Sequence, residues 1–216
     1  MRAWSTLHTP PGVMGIVEKP TDFDLSSDES LPLTVICDNI RHPDNLAGIM
    51  RTAAAVGAQR MLLTKGTVSP WSPKVLRGAV GAHFRIPVQA DMKWNDISDE
   101  IPAASSIYLA DCRDDTNLFV DYEMEVGSNE PSESQSEPVP VVELSAPCFG
   151  RDPSMAVVIG GETHGLSRDA RKLALQRQGV RLHIPMASGF PCLNSATAAA
   201  VCLFEIRRQW LLNKVD

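Results

Sequence analysis

No apolar run in the 216 residues approaches the roughly 20 needed to cross a bilayer as a helix, so no membrane partner is expected. The opening residues, Met1-Arg2-Ala3-Trp4-Ser5, lack an apolar h-region, which argues against a secretory signal; no transit peptide is visible either. Cysteine is sparse and odd in number: Cys37, Cys112, Cys148, Cys192 and Cys202, with no C-x-x-C pair. That pattern excludes a disulfide framework and a zinc knuckle, and fits buried or inert thiols in a reducing compartment. No metal site is expected. There is no G-x-G-x-x-G and no G-x-x-x-x-G-K-[ST], so dinucleotide and P-loop chemistries lack their fingerprint. There is also no overall positive charge: the net value of −6 speaks at first against nucleic acid.

The distribution of charge changes that last point. Residues 114–145 hold nine carboxylates (Asp114, Asp115, Asp121, Glu123, Glu125, Glu130, Glu133, Glu137, Glu143) and no Lys or Arg. Setting them aside leaves 17 acidic against 20 basic residues, so the body of the chain is mildly basic. Within this stretch, SNEPSESQSEPVP is too polar to pack, and 114–145 is expected to be a disordered acidic insertion. Residues 1–32, with Pro10-Pro11-Gly12 and a polar run from Asp22 to Ser30, are expected to be a tail or linker remnant, leaving 33–216 as one domain.

From Leu33 strand and helix patterns alternate. Strands are expected at 33–40, 60–64, 83–88, 106–111, 155–159 and 180–184, and helices at 45–56, 73–80, 94–101, 168–176 and from Asn194 to about Leu212. Short apolar strands separated by helices imply a parallel sheet covered on both faces, an α/β fold. Ligands of such sheets sit at the carboxyl ends of strands, which directs attention to the loops after Ile40, Ile159 and Ile184.

The first loop is DNIRHPDNLAGIMRTAAAVGA. Asp44 or Asn45 is placed to cap the helix. Arg51, six residues after Asn45, lies about 120° around the helix from it. A cap plus a surface Arg is the plain reading; an amide and a guanidinium facing one cleft, the latter a phosphate ligand, is the sharper one. The second is VVIGGETHGLS, where glycines allow close approach of a ligand. Glu162 suits a helix start, and His164 has no partnering pattern that makes it catalytic. The third is IPMASGFPCLNSATAAA. Asn194 or Ser195 is placed to cap the last helix, whose alanines keep it thin. Cys192 has neither a neighbouring base nor a visible cause of a lowered pKa, so it is not read as a nucleophile.

Taken in order, N-x-x-x-x-x-R, G-x-E-x-x-G and I-P-M…L-N-x-x-x-A resemble the SpoU (TrmH-like) RNA 2′-O-ribose methyltransferases of the SPOUT superfamily, from about Thr34 to Gln209. The stretches TPPGVMGI, LPLTVICDNIRHPDNLAGIMRTAA, SPKVLRGAVGAHFRIPV and AVVIGGETHG resemble a mitochondrial branch of that family acting on large-subunit rRNA. The resemblance implies a C-terminal trefoil knot, S-adenosyl-L-methionine (SAM) as cofactor, a homodimer, and a mitochondrial matrix location. It implies cofactor contacts from Gly160, Gly161, Ile184, Met186 and Leu193, and catalytic roles for Arg51, Asn45, Glu162 and Asn194. Arg51 is then a clamp on RNA phosphate and developing alkoxide, since guanidinium holds its proton too tightly to be a base. Asn45 and Asn194 would orient the ribose or Arg51, and Glu162 would fix the loop or hold Arg51. The chain departs from the family at Ala47, where Gly is usual, and at Cys192, where Ser is usual. Those departures leave a catalytically silent RNA-binding or ribosome-assembly factor as the alternative, with a tRNA 2′-O-methyltransferase as a close variant.

Overall fold

A computed structural model describes residues 15–21, 23, 30–110, 139–162, 165–187 and 192–213. Seven strands form one sheet: β1 (Leu31–Asp38), β2 (Ala58–Thr64), β3 (Val88–Met92), β4 (Ser106–Ala110), β5 (Val141–Glu143), β6 (Met155–Gly160) and β7 (Val180–His183). Their order is β3-β2-β1-β6-β4-β7-β5, and every pairing is parallel. Five helices cover it: α1 (Pro43–Ala55), α2 (Pro73–Gly78), α3 (Trp94–Glu100), α4 (Arg168–Gln176) and α5 (Ser195–Asn213).

Successive strand residues serve opposite faces, as the pleat requires. Val35, Cys37, Met61, Leu63, Val157 and Ile159 enter one core with α1, α2 and α5. Ile36, Leu62, Leu109, Ala156 and Val158 enter the other, with α3 and α4. This burial on both faces is why the central strands read as unbroken apolar runs. The helix after β1 lies on one face and the helix after β6, the adjacent strand, lies on the other. Neighbouring strands that send their chains to opposite sides open a crevice at their carboxyl ends.

Small residues set how closely helices approach. A Cβ on Gly78 of α2 would lie 2.7 Å from the Ala47 Cβ of α1, and one on Gly48 would lie 3.0 Å from the Ala196 Cβ of α5. The departure at Ala47 is thus accommodated by Gly78 opposite. The alanines of α5 likewise serve the chain's own core: Ala198 and Ala199 are buried, and Ala196 packs beside α1.

Three expectations need correction. First, residues 83–88 are not a strand. Ala82–Phe84 is a 3-10 turn, and the edge strand runs Val88–Met92. His83 turns inward, its Nε2 donating to the Pro70 carbonyl at 2.7 Å, while the true strand is mostly exposed and so lacks an apolar signature. Second, the domain begins before 33, since Leu31 is fully buried and pairs with Ala58. Third, the acidic insertion does not extend to 145. Val141–Glu143 forms β5 on β7, and Val139 and Leu144 are buried beside it. The remainder of the insertion, 114–138, lies outside the described residues, as do His164, Cys112 and residues 188–191, which belong to the segment where the knot is expected.

Gly78→Ala should destabilise the fold by about 1–3 kcal/mol through overpacking against Ala47, and Ala47→Gly should recover most of that loss in the double variant. Urea midpoints of the four proteins in the cycle check this.

Candidate functional site

The crevice between β1 and β6 is held open by polar bonds. Asp38, at the end of β1, is 2% exposed, and its carboxylate accepts the Ser167 backbone N–H at 2.6 Å. Ser167 in turn caps α4 through Oγ, accepting from the Ala170 N–H. Burial pushes the Asp38 carboxyl above its ordinary value, against the lowering effect of its hydrogen bonds from Ser167. The Gly161 N–H donates to the Asp38 carbonyl at 3.1 Å, and the Gly165 N–H donates back to the Gly161 carbonyl at 2.8 Å, closing the loop after β6 on itself.

This closure explains the two glycines better than ligand approach does. A Cβ on Gly160 would meet the Gly165 carbonyl carbon at 2.6 Å, and one on Gly161 would meet the Asn39 carbonyl oxygen at 2.7 Å. Both positions exclude side chains because backbone already occupies the space.

On the other side of the crevice, α5 starts at Ser195, and its cap is Asn194. The Asn194 Oδ1 accepts from the Ala196 N–H at 3.0 Å and from the Thr197 N–H at 3.4 Å. Its Nδ2 donates to Asn45 Oδ1 at 3.0 Å and to Glu162 Oε1. Three predicted site residues, 149 positions apart at the extremes, thereby form one hydrogen-bonded cluster. Asn45 does not cap α1, as the first loop had suggested. Pro43 occupies the first turn, the cap position is His42 with no side-chain cap, and Asn45 is inside the helix, 8% exposed, aimed at Asn194. Because its Oδ1 is held by Asn194, its two Nδ2 hydrogens are left without a partner among the described residues. The other Glu162 oxygen lies 3.9 Å from His42 Nε2.

Arg51 is not part of this cluster. It is exposed on α1, about 9 Å along the axis from Asn45, with no hydrogen bond or ion pair among the described residues. Glu162 therefore does not hold Arg51; it holds Asn194.

Beside the cluster lies a pocket lined by Gly160, Ile184, Met186, Leu193, Ala198 and Cys202, among others. Four of the five residues expected to contact a cofactor line it; Gly161 adjoins it through Gly160. Its walls are apolar side chains and backbone, and Ser195 Oγ at its rim donates to the Gly160 carbonyl at 3.2 Å. That character suits a flat heterocycle held by main-chain groups. Cys192 is exposed and is not among the lining residues. Sequence reasoning missed Asp38 and His42, and took Ser195 only as a possible cap for the last helix, whereas its hydroxyl bonds the Gly160 carbonyl. Asp38 was findable as a carboxylate ending a strand that is otherwise apolar; His42 carries no local signal.

Fold and site together define a doubly wound α/β protein with a pocket at the carboxyl edge of its sheet, where β6, β4 and β7 end. The chain belongs to the SpoU rRNA Methylase family, whose model matches residues 32–204. It is 43% identical to rRNA methyltransferase 3A, mitochondrial, of Danio rerio over 98% of this chain and 53% of the relative. It is 38% identical to rRNA methyltransferase 3, mitochondrial, of Homo sapiens over 97% of this chain and 56% of the relative. The chain thus spans about half the length of these curated relatives. Among solved structures, the fold matches the SpoU methyltransferase AviRb from Streptomyces viridochromogenes in complex with the cofactor AdoMet. The TM-score is 0.63 at 22% identity, over 86% of this chain and 62% of that one. An AdoMet-bound rRNA methyltransferase from Sinorhizobium meliloti matches with a TM-score of 0.60 at 24% identity, over 82% of this chain and 56% of that one.

Two outcomes follow from the geometry. Asn194→Ser keeps a capping oxygen but removes both amide donors, so thermal stability should fall by about 1 kcal/mol or less while any methyl transfer falls at least about tenfold. Thermal melts beside an activity assay separate the cap from the cluster. For Asp38, the raised pKa means the native state binds more protons than the unfolded one once pH exceeds the ordinary carboxylate value of about 3.9. Its contribution to stability is therefore fully present below that pH and is lost as pH rises through the raised value. Asp38→Asn should remove this decline, so the stability of the variant relative to the unaltered chain rises with pH above about 4 in denaturant titrations.

Proposed function

We propose that this chain is the SAM-dependent catalytic domain of an enzyme that methylates a ribose 2′-oxygen of RNA, a guanosine of mitochondrial large-subunit rRNA being the substrate. The observation that carries the reading is the Asn45–Asn194–Glu162 cluster set against the pocket of Gly160, Ile184, Met186 and Leu193. Family membership and the mitochondrial names of the relatives support the substrate class and the matrix location.

SAM, bound in that pocket, supplies an electrophilic methyl group. The residues of the chain do the rest. Backbone of the loops after β6 and β7 holds the adenine, which explains why few marked side chains line the pocket. The free Nδ2 hydrogens of Asn45 would donate to the ribose 2′-oxygen and stabilise the charge left there as its proton passes to an RNA phosphate or solvent and the methyl group is accepted. Asn194 fixes which way that amide faces, and Glu162 fixes Asn194. Arg51 clamps an RNA phosphate, and its exposure and distance from the cluster fit a backbone contact better than a contact at the reacting oxygen. Positioning of this kind supplies several kcal/mol of barrier reduction without a strong base.

The working unit is a homodimer. The exposed side of α5 carries Val201, Phe204, Leu211 and Leu212 along one stripe, an apolar surface suited to a second copy.

Incubation with methyl-labelled SAM and mitochondrial rRNA, followed by mapping of 2′-O-methyl groups, tests the proposal. Arg51→Ala should lower methyl transfer at least about a hundredfold while SAM affinity stays within about twofold by calorimetry. Transfer that survives the substitution would remove the assigned role of Arg51. Transfer to tRNA instead of rRNA would redirect the substrate, and tight SAM binding with no transfer to either RNA would favour the silent alternative.

A further inference from the structure

Residues 65–87 connect β2 to β3, and in a chain of net charge −6 they contain Lys65, Lys74, Arg77 and Arg85 and no carboxylate. All four side chains are exposed, and none has a hydrogen bond or ion pair with another described residue. Arg60 and Arg208, by contrast, are paired with carboxylates: Arg60 bridges Glu100 at 2.9 Å and Arg208 bridges Glu205 at 2.7 Å. Lys19 of the N-terminal segment, next to Glu18, adds a cation here, its Nζ 5.3 Å from the centre of the Trp71 ring.

The same crossover displays apolar groups. Phe84 is 56% exposed and Val80 is 67% exposed. Val80 sits at φ 49°, a left-handed conformation that a β-branched residue adopts only under strain. A strained backbone that holds an apolar side chain in water, beside an exposed aromatic ring, marks a surface built to meet something.

The crossover is tied to the candidate site at three points. The Gly78 backbone abuts Ala47, two residues past Asn45 and one turn before Arg51. The Val68 N–H donates to the Ile40 carbonyl at 2.8 Å, and the Thr67 hydroxyl donates to the Cys37 carbonyl at 3.3 Å. Its cations therefore stand on a platform fixed to the β1–α1 loop and to α1, the helix that carries Asn45.

We infer that the β2–β3 crossover is the RNA-docking face of this chain. Lys65, Lys74, Arg77 and Arg85 neutralise phosphates of a single-stranded segment flanking the target nucleotide, and Phe84 stacks on an unpaired base. The inference rests on the RNA reading above and adds to it the surface and the direction from which the strand approaches. Uniform sign favours a polyanion, and the exposed ring beside the cations suits unpaired bases, whose faces are free to stack.

The test uses the 216-residue chain and a fluorescein-labelled, mixed-sequence single-stranded RNA of about 20 nucleotides, with anisotropy read across a series of salt concentrations. For every phosphate that is no longer neutralised, the slope of log K against log salt should shrink by roughly 0.7. The variant carrying Lys65→Gln, Lys74→Gln, Arg77→Gln and Arg85→Gln should therefore show a slope shallower by roughly 1.4 or more, corresponding to at least two phosphates. Lys172→Gln, an exposed change on α4, should not alter it. Phe84→Ser should weaken binding about tenfold with little change of slope. Thermal melts and SAM affinity should stay unchanged in all of them. An unchanged slope in the fourfold variant overturns the inference and leaves the face to an acidic protein partner. RNA binding with the expected changes of slope but no methyl transfer by the unaltered chain would instead overturn the catalytic reading and leave this surface assigned.

Discussion

The amide of Asn194 is the bond point on which the site depends. It has one acceptor oxygen and two donor hydrogens, and all are engaged. The oxygen caps α5, while the hydrogens reach Asn45 on α1 and Glu162 after β6. Removing it would leave a helix start uncapped, at a cost of about 1 kcal/mol, and two polar partners unsatisfied, one of them largely buried. The energetic loss is modest for a domain of this size. The geometric loss is greater, because no other described side chain joins these three segments.

Close packing makes that convergence possible. Gly48 lets α5 approach α1, Gly78 lets α2 approach α1 at Ala47, and Gly160 and Gly161 let the β6 loop fold back on Gly165 and Asn39. The ligand pocket is what remains when these backbones come as near as they can. Its lining is apolar because it continues the core beneath α5, with Ala198 and Cys202 buried there as well. The Asn45–Asn194–Glu162 cluster stands at the edge of that pocket.

Separation of charge serves the same arrangement. The carboxylates that make the whole chain acidic are concentrated in 114–145, whereas 65–87 has none. Exposed cations paired with nearby carboxylates contribute little to binding a polyanion; unpaired ones act on it within a screening length of about 8 Å at physiological salt. Net charge alone would have hidden a surface that the local distribution reveals.

Much of the architecture was legible in the sequence. Apolar runs separated by amphipathic stretches dictated a parallel sheet covered on both faces, and helix α4 falls on its expected limits because Ser167 is a local capping signal. The spacing motifs picked out Asn45, Glu162 and Asn194 before any geometry was known. Reading failed where structure is set by remote contacts. β3 is too exposed to show an apolar pattern, β5 is an edge strand of three residues ending an acidic stretch, and Asn45 looked like a cap because only its own helix was in view. The sequence by itself determined which groups are available and the order of secondary structure, since propensity, capping and burial period are local properties. Only the tertiary structure decided that Asn45 meets Asn194, that Arg51 stands apart from Glu162, and that two glycines are demanded by neighbouring backbone. Those outcomes depend on which distant segments the sheet order brings within hydrogen-bonding reach, a quantity that no local pattern encodes.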